Sequence, residues 1–293
     1  MRIRVVVLIL IVLASVNCGY PQKYDSQQAE ILTFNVLLNG VIGGIGGAIN
    51  KSKEEKLHVV LAKNFLIGCL GGSVKYLAKY DAYNISYDHA LGANQRFSWN
   101  AWMDRFLYYA GHSIVCNASL NKKPWESFQI NLYGINFYYS ITDSNHFQPK
   151  LSLYTLGALI KFGLDGNKFD LKNSLNYGIY YFDVNPKDHG FRCGIATYNV
   201  IALNESCQGT TNNVSHEFIH GFQFADYFPI SLYAYKPLKN FKSQKLIKPI
   251  DRYVIFDIPY QYLFYVLQPK PWHYKNYYEY EARHFAIRAH VER

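Results

Sequence analysis

No two cysteines in this sequence are spaced C-x-x-C, which argues against a zinc site built from cysteines. No glycine directly precedes Lys51 in the glycine-rich stretch LNGVIGGIGGAINK, so the phosphate-cradling GxxxxGK spacing is missing and nucleotide binding through it is excluded. Charge is scarce: 17% of residues are charged against 49% hydrophobic, a balance that excludes a disordered chain and calls for a buried core. There is no internal repeat and no low-complexity tract. The net charge of +9 comes without any nucleic-acid module. Its one mild cluster, KPLKNFKSQKLIK at 236–248, reads as a solvated basic loop.

The 293 residues suffice for one large domain, or for a main domain with a smaller appendage. The 27 Tyr and 19 Phe favour half-buried pleated surfaces and predict much β-structure. At the N-terminus Arg2 and Arg4 precede an unbroken apolar run, Val5–Leu13, and then small residues. This is the pattern of a secretory signal over residues 1–18, too short to span a membrane comfortably. It predicts an exported protein: periplasmic, in the cell envelope, or secreted. Residues 15–17 fit a lipobox poorly, so Cys18 is read as cleaved rather than lipid-modified. Export permits disulfides. Cys193 and Cys207 flank a short segment that they could close as a loop, and Cys69 sits in an apolar run as a buried thiol. Four cysteines past the signal allow three pairings.

Residues 31–50 form an uncharged run, KSKEEK breaks it at 51–56, and a second apolar run follows to residue 77. Small residues recur four apart (Gly40/Gly44, Gly43/Gly47, Gly44/Ala48, Gly68/Gly72), a spacing that lets two helices approach closely. The expectation is a glycine-rich helical hairpin over 31–77. Asn35, Asn39, His58 and Lys63 fit packing on the protein, or lying on a membrane surface, better than insertion. From about residue 126 the period changes. Strands are expected at 128–141, with Gly134 as a bulge, and over 169–184 and 191–203, building an antiparallel or mixed sheet. A helix capped near Thr210–Asn212 then runs to about Asp226, before Pro229. A last helix covers 275–293. The fold class is therefore α+β, with residues 19–125 as an N-terminal region and 126–293 as the chemistry-bearing domain.

That capped helix carries His216-Glu217-Phe218-Ile219-His220. Residues four apart share one helix face, so both imidazoles can aim at one ion. A catalytic zinc takes three protein ligands and keeps one position for water. Glu217, about 100° round the helix from His216, stands where it can take that water's proton and hand it to a leaving amine. A third ligand is sought downstream. No H-x-x-G-x-x-H extension follows His220, but YEYEARHFA at 278–286 offers two carboxylates. Glu279 shares its stripe with Ala282 and Ala286, a face that admits a neighbouring helix. Glu281 shares its own with Phe285, Arg288 and Glu292, which reads as more exposed. Glu279 is the expected ligand and Glu281 the alternate. His284, His273 and Tyr278 are candidate oxyanion donors.

This pairing of HExxH with a later ExEA resembles the gluzincin zinc metallopeptidases, in which two histidines and one glutamate bind zinc. HEFIHGFQ is similar to the HExxHxxQ of bacterial domains that later carry ExEAD, and EYEARHFA to the ExEANxFA of small intracellular gluzincins. The first Glu of ExEA is the ligand in both, which maps to Glu279. The residue four further on is usually Asp or Asn and orients a ligand histidine; here it is Arg283, which leaves that role to another group. The layout as a whole is similar to that of exported proteins of Bacteroidetes-type bacteria. The resemblance implies a zincin-like fold, a zinc ion and hydrolysis of a peptide or protein substrate. The competing expectation is a non-enzymatic envelope or membrane-associated protein, with residues 31–77 on a membrane surface and a structural or degenerate HExxH site. Neither reading involves nucleic acid.

Overall fold

The computed structural model describes residues 22–85, 98–142, 146–184, 193–204, 210–234, 253–255, 257 and 277–287. The predicted signal segment, Cys18, Cys207, the basic loop expected at 236–248, His273 and the C-terminal end of the last predicted helix lie outside the described residues.

The helical hairpin is present and longer than predicted: α1 (Gln22–Ile49) and α2 (Leu57–Asp81) are joined by the charged turn. Glu55 holds that turn, its Oε2 accepting from the Ser52 backbone N–H at 2.8 Å and from Asn121 Nδ2 at 2.7 Å. Glycine sets the spacing of the helices. A Cβ on Gly43 would stand 2.8 Å from the Asn64 carbonyl oxygen and 3.1 Å from Gly68 Cα. α3 (Trp99–Ser119) packs across both and is capped by Ser98, whose Oγ accepts from Ala101 N at 3.2 Å. The other face of the hairpin is exposed and apolar: Leu37, Val41, Ile45 and Ile49 form a stripe along α1, beside Leu57, Val59, Leu61 and Leu66 on α2. By length and composition, the apolar stretches Gln27–Ile49 and Leu57–Ile85 could each cross a membrane.

The middle of the chain is α+β, as expected, but it makes two four-stranded sheets rather than one. The first has the order β1-β2-β3-β8, from Ser127–Leu132, Ile135–Ser140, Phe147–Ser152 and Val254–Ile255. The single strand predicted at 128–141 is a hairpin. Tyr133 (φ 51°) and Gly134 (φ 72°) both adopt the left-handed region, the geometry of a tight two-residue turn, and the tyrosine hid that turn from a reading that looks for Asn or Gly. Ser152 ends β3 and caps α4 (Leu153–Leu164), its Oγ accepting from Thr155 N. The second sheet has the order β4-β5-β7-β6, from Lys168–Phe169, Tyr180–Asp183, Val200–Leu203 and Gly194–Thr197. The strand predicted over 169–184 is interrupted by α5 (Leu171–Tyr177). Asp170 accepts from Asn173 N at its start and left-handed Gly178 closes it, so local capping overrides the apolar alternation.

α6 (Thr210–Asp226) carries the HExxH and lies against β6 and β7. A 3-10 segment, Phe228–Ala234, follows, and α7 (Tyr277–Ile287) packs on α6. The main core joins the helices to the second sheet through Tyr76, Tyr108, Tyr181, Ile201, Phe218, Ile219, Phe222 and Phe285. The two buried alanines of α7, Ala282 and Ala286, let it approach this core, as its small-residue face predicted.

Candidate metal centre

His216 and His220 come from successive turns of α6 and point the same way. Their Nε2 atoms are 3.0 Å apart. Glu279, in the first turn of α7, brings Oε2 to 3.4 Å from His216 Nε2 and Oε1 to 3.4 Å from His220 Nε2. Each imidazole thus faces one oxygen of the same carboxylate, and one ligand atom from each of the three side chains lies within 4.8 Å of the others, close enough to converge on a single ion. The set is two imidazole nitrogens and a carboxylate oxygen, a chemistry zinc accepts, and no other group of this kind occurs among the described residues. The side chains of His216 and Glu279 remain 18% and 19% exposed, which leaves the centre open to solvent on one side.

Burial works to raise the Glu279 carboxyl, but hydrogen bonds from His216 and His220 outweigh it and hold it well below the usual range. Burial would lower His220, yet Glu279 and Glu217 raise it. Glu217 is itself buried, and desolvation lifts its carboxyl above the ordinary value despite the pull of both histidines. One wall of its space is Gly194 on β6, where a Cβ would come within 2.6 Å of Glu217 Oε1. Among the described residues β6 pairs only with β7, so it is an edge strand lying beside the glutamate.

Glu281 is placed differently from Glu279. It was expected on the more exposed face but is 1% exposed, because cations and amides surround it. Lys79 Nζ lies 3.2 Å from Oε2, Asn35 Nδ2 donates to Oε1 at 2.5 Å, and Gln223 Nε2 donates to Oε2 at 2.7 Å. Gln223 also takes the role expected of an Asp or Asn at position 283: its Oε1 is 2.7 Å from His220 Nδ1. Gln223 follows His220 by three residues and so shares its face; the likeness of HEFIHGFQ to HExxHxxQ included this residue but assigned it no role. Arg283 itself reaches toward Glu279, with Nη2 3.9 Å from Oε2. Of the oxyanion candidates, Tyr278 turns its backbone carbonyl to Gln223 and His284 packs edge-on against Phe285.

Cys193, immediately before β6, is disulfide-bonded, while Cys69 and Cys116 are free. Cys69 is only half-buried. Comparison with family models, curated proteins and solved structures gave no match.

Proposed function

We propose that this chain is an exported, zinc-dependent hydrolase of peptide bonds, with His216, His220 and Glu279 as metal ligands and Glu217 as general base. The observation that carries this reading is the convergence of three side chains, with the two Nε2 atoms 3.0 Å apart and one Glu279 oxygen 3.4 Å from each, and Glu217 alongside. Zinc held there would act as a Lewis acid on the scissile carbonyl and would lower the pKa of water. The chain's own residues supply the rest. Glu217, desolvated and beside the site, takes a proton from the attacking water and returns it to the leaving amine. The strand β6, at the edge of its sheet among the described residues, would offer its backbone groups to an extended peptide and align it past Glu217. Export is supported by the N-terminal signal pattern and by the bonded state of Cys193, which belongs in an oxidising compartment. The exposed apolar stripe of residues 31–77 supports contact with a membrane surface.

The test is the metal content of purified protein, wild type against His220→Ala, together with cleavage of a mixed peptide library by wild type against Glu217→Gln. One zinc per chain that is lost in His220→Ala, with library cleavage lost in Glu217→Gln, supports the reading. Equal metal in both proteins sinks it. A second reading, a non-enzymatic envelope protein with a structural site, is favoured by Arg283 standing near Glu279 in place of an Asp or Asn. Its signature is His220-dependent zinc with no cleavage by either protein.

A further inference from the structure

Two lysines and two carboxylates are buried together behind the metal centre. Lys75 Nζ is 2.5 Å from Asp226 Oδ1, Lys79 Nζ is 2.8 Å from Asp226 Oδ2 and 3.2 Å from Glu281 Oε2, and all four side chains are at most 4% exposed. Their charges cancel. Asn39 and Asn35 of α1 accept from Lys75 and Lys79 at 2.8 and 2.9 Å, and Tyr108 of α3 donates to Asp226 at 2.8 Å. Well-packed apolar side chains hold helices together as well as a buried ion cluster does, so stability alone does not account for four buried charges.

The hydrogen-bond sense supplies the missing role. A primary amide donates from one end and accepts at the other. The Nε2 end of Gln223 faces two acceptors, Glu281 Oε2 at 2.7 Å and the Tyr278 carbonyl at 2.9 Å. Its oxygen must then face His220 Nδ1, which lies 2.7 Å away and has to donate. That places the ring's proton on Nδ1 and leaves the Nε2 lone pair directed at His216 and Glu279, the form a metal ligand needs.

We infer that Glu281, held by Lys79 of α2 and Asn35 of α1, is a positioning residue for the metal site: it fixes the sense of the Gln223 amide and through it the tautomer and orientation of His220, which makes the apolar hairpin part of that site. This rests on the metal-binding reading above. Removing the hold from the hairpin side therefore weakens metal binding across two helix interfaces, without touching a ligand.

The experiment measures zinc affinity of the full chain by competition with a chromogenic chelator, and the visible spectrum of the cobalt-loaded protein. The variants are Gln223→Leu, Glu281→Gln and Asn35→Ala, with His220→Ala as the ligand control. Tyr108→Phe serves as the structural control, since it deletes the hydroxyl's bonds to Asp226 and to the Phe222 carbonyl and removes no contact of the Glu281 or Gln223 side chain. Gln223→Leu and Glu281→Gln are expected to weaken zinc by about 10- to 100-fold and to alter the cobalt spectrum. Asn35→Ala weakens zinc to a smaller extent, and Tyr108→Phe lowers Tm with affinity unchanged. Wild-type affinity and spectrum in folded Gln223→Leu and Glu281→Gln overturn the inference while the metal site stands. So does an affinity loss in Tyr108→Phe as large as theirs. If Glu281→Gln fails to fold, Asn35→Ala decides the hairpin's part, with unchanged affinity there overturning it. Metal binding that is indifferent to His220→Ala overturns the site and the inference together.

Discussion

Gly194 and Glu217 share one small space: a Cβ on the glycine would lie 2.6 Å from the glutamate's Oε1. The edge strand and the helix meet at this point, and the absence of a side chain on one residue sets the position of the other's carboxylate. Gly194 has no positive φ, so alanine is tolerated by the backbone, and the conflicts are with Glu217 and with the buried Leu203, whose Cδ2 would lie 2.7 Å away. Gly194→Ala is therefore expected to keep zinc, to lose about 1–3 kcal/mol of stability through Leu203, and to lose at least about tenfold in kcat/KM if Glu217 is the general base, since a misplaced base loses much of its contribution. Steady-state kinetics beside a zinc titration check this. Unchanged kinetics would show that Glu217 does not work from this position.

Glu217→Gln keeps the shape and removes the proposed base. It should retain zinc and lower kcat by about 10²- to 10⁴-fold, with KM little changed. Zinc content and kinetics on the same preparation separate a lost base from a lost site. A proportional fall in both would show that Glu217 serves the structure instead.

In acid, the metal-free protein should lose stability over a defined window. Burial raises Asp226, but Lys75 and Lys79 outweigh it and bring it from 3.8 to about 2. A carboxyl depressed in the folded state contributes stability that is complete above its unfolded pKa and is lost as pH falls toward the folded one. The contribution of Asp226 is about 2 kcal/mol, present above about pH 4 and gone near pH 2. Glu279, also depressed, acts in the same sense. Urea midpoints measured across that interval check it. A flat profile would mean that the buried lysines do not hold Asp226 ionised.

Two glycines make opposite predictions for the same substitution. At Gly157 in α4 an added Cβ would meet nothing within 4 Å, so Gly157→Ala should stabilise by about 0.5–1 kcal/mol through helix propensity. Gly43 would place its Cβ 2.8 Å from the Asn64 carbonyl and 3.0 Å from Ala118 Cβ, so Gly43→Ala should destabilise by about 1–3 kcal/mol as α1 is pushed off α2 and α3. Denaturant unfolding of both variants tests whether the hairpin is as tightly seated as its glycines require.

Arg283→Asn should change zinc affinity by less than about threefold. Its guanidinium stands 3.9 Å from Glu279 with the side chain 37% exposed, and pairs that open to solvent contribute little. A tenfold change would make Arg283 a direct partner of the site.

The parts of this molecule set by short-range rules were legible. A 20-residue uncharged run broken by KSKEEK can hardly be anything but a hairpin, and HExxH followed by Pro229 yields a helix with both histidines on one face, although Thr210–Asn212, expected to cap it, already lie within it. The choice of Glu279 came from helix periodicity, through the alanines that let α7 approach. The errors lay where local geometry competed with alternation. LKNSLNY looked like strand until its capping pair was considered, and Tyr133 in a left-handed turn gave no residue-type signal. The exposure assigned to Glu281 failed for another reason: a charged residue on a helix face is read as solvated by default, and the cations that bury it lie far away in the chain, Lys79 at a separation of 202 residues.

Sequence by itself determined the spacing of His216, Glu217 and His220, because helical pitch converts four residues into one face without help from the rest of the chain. Sequence named Glu279 and Glu281 in order of preference, but only the tertiary structure decided how close either carboxylate comes, what holds His220, and where Glu217 is confined. Those three outcomes depend on contacts between segments that local periodicity cannot relate. The packing of α7 on α6 brings Glu279 to the histidines, the balanced charges of α2 and α6 draw Glu281 inward, and the edge of the second sheet presents a glycine where Glu217 needs room.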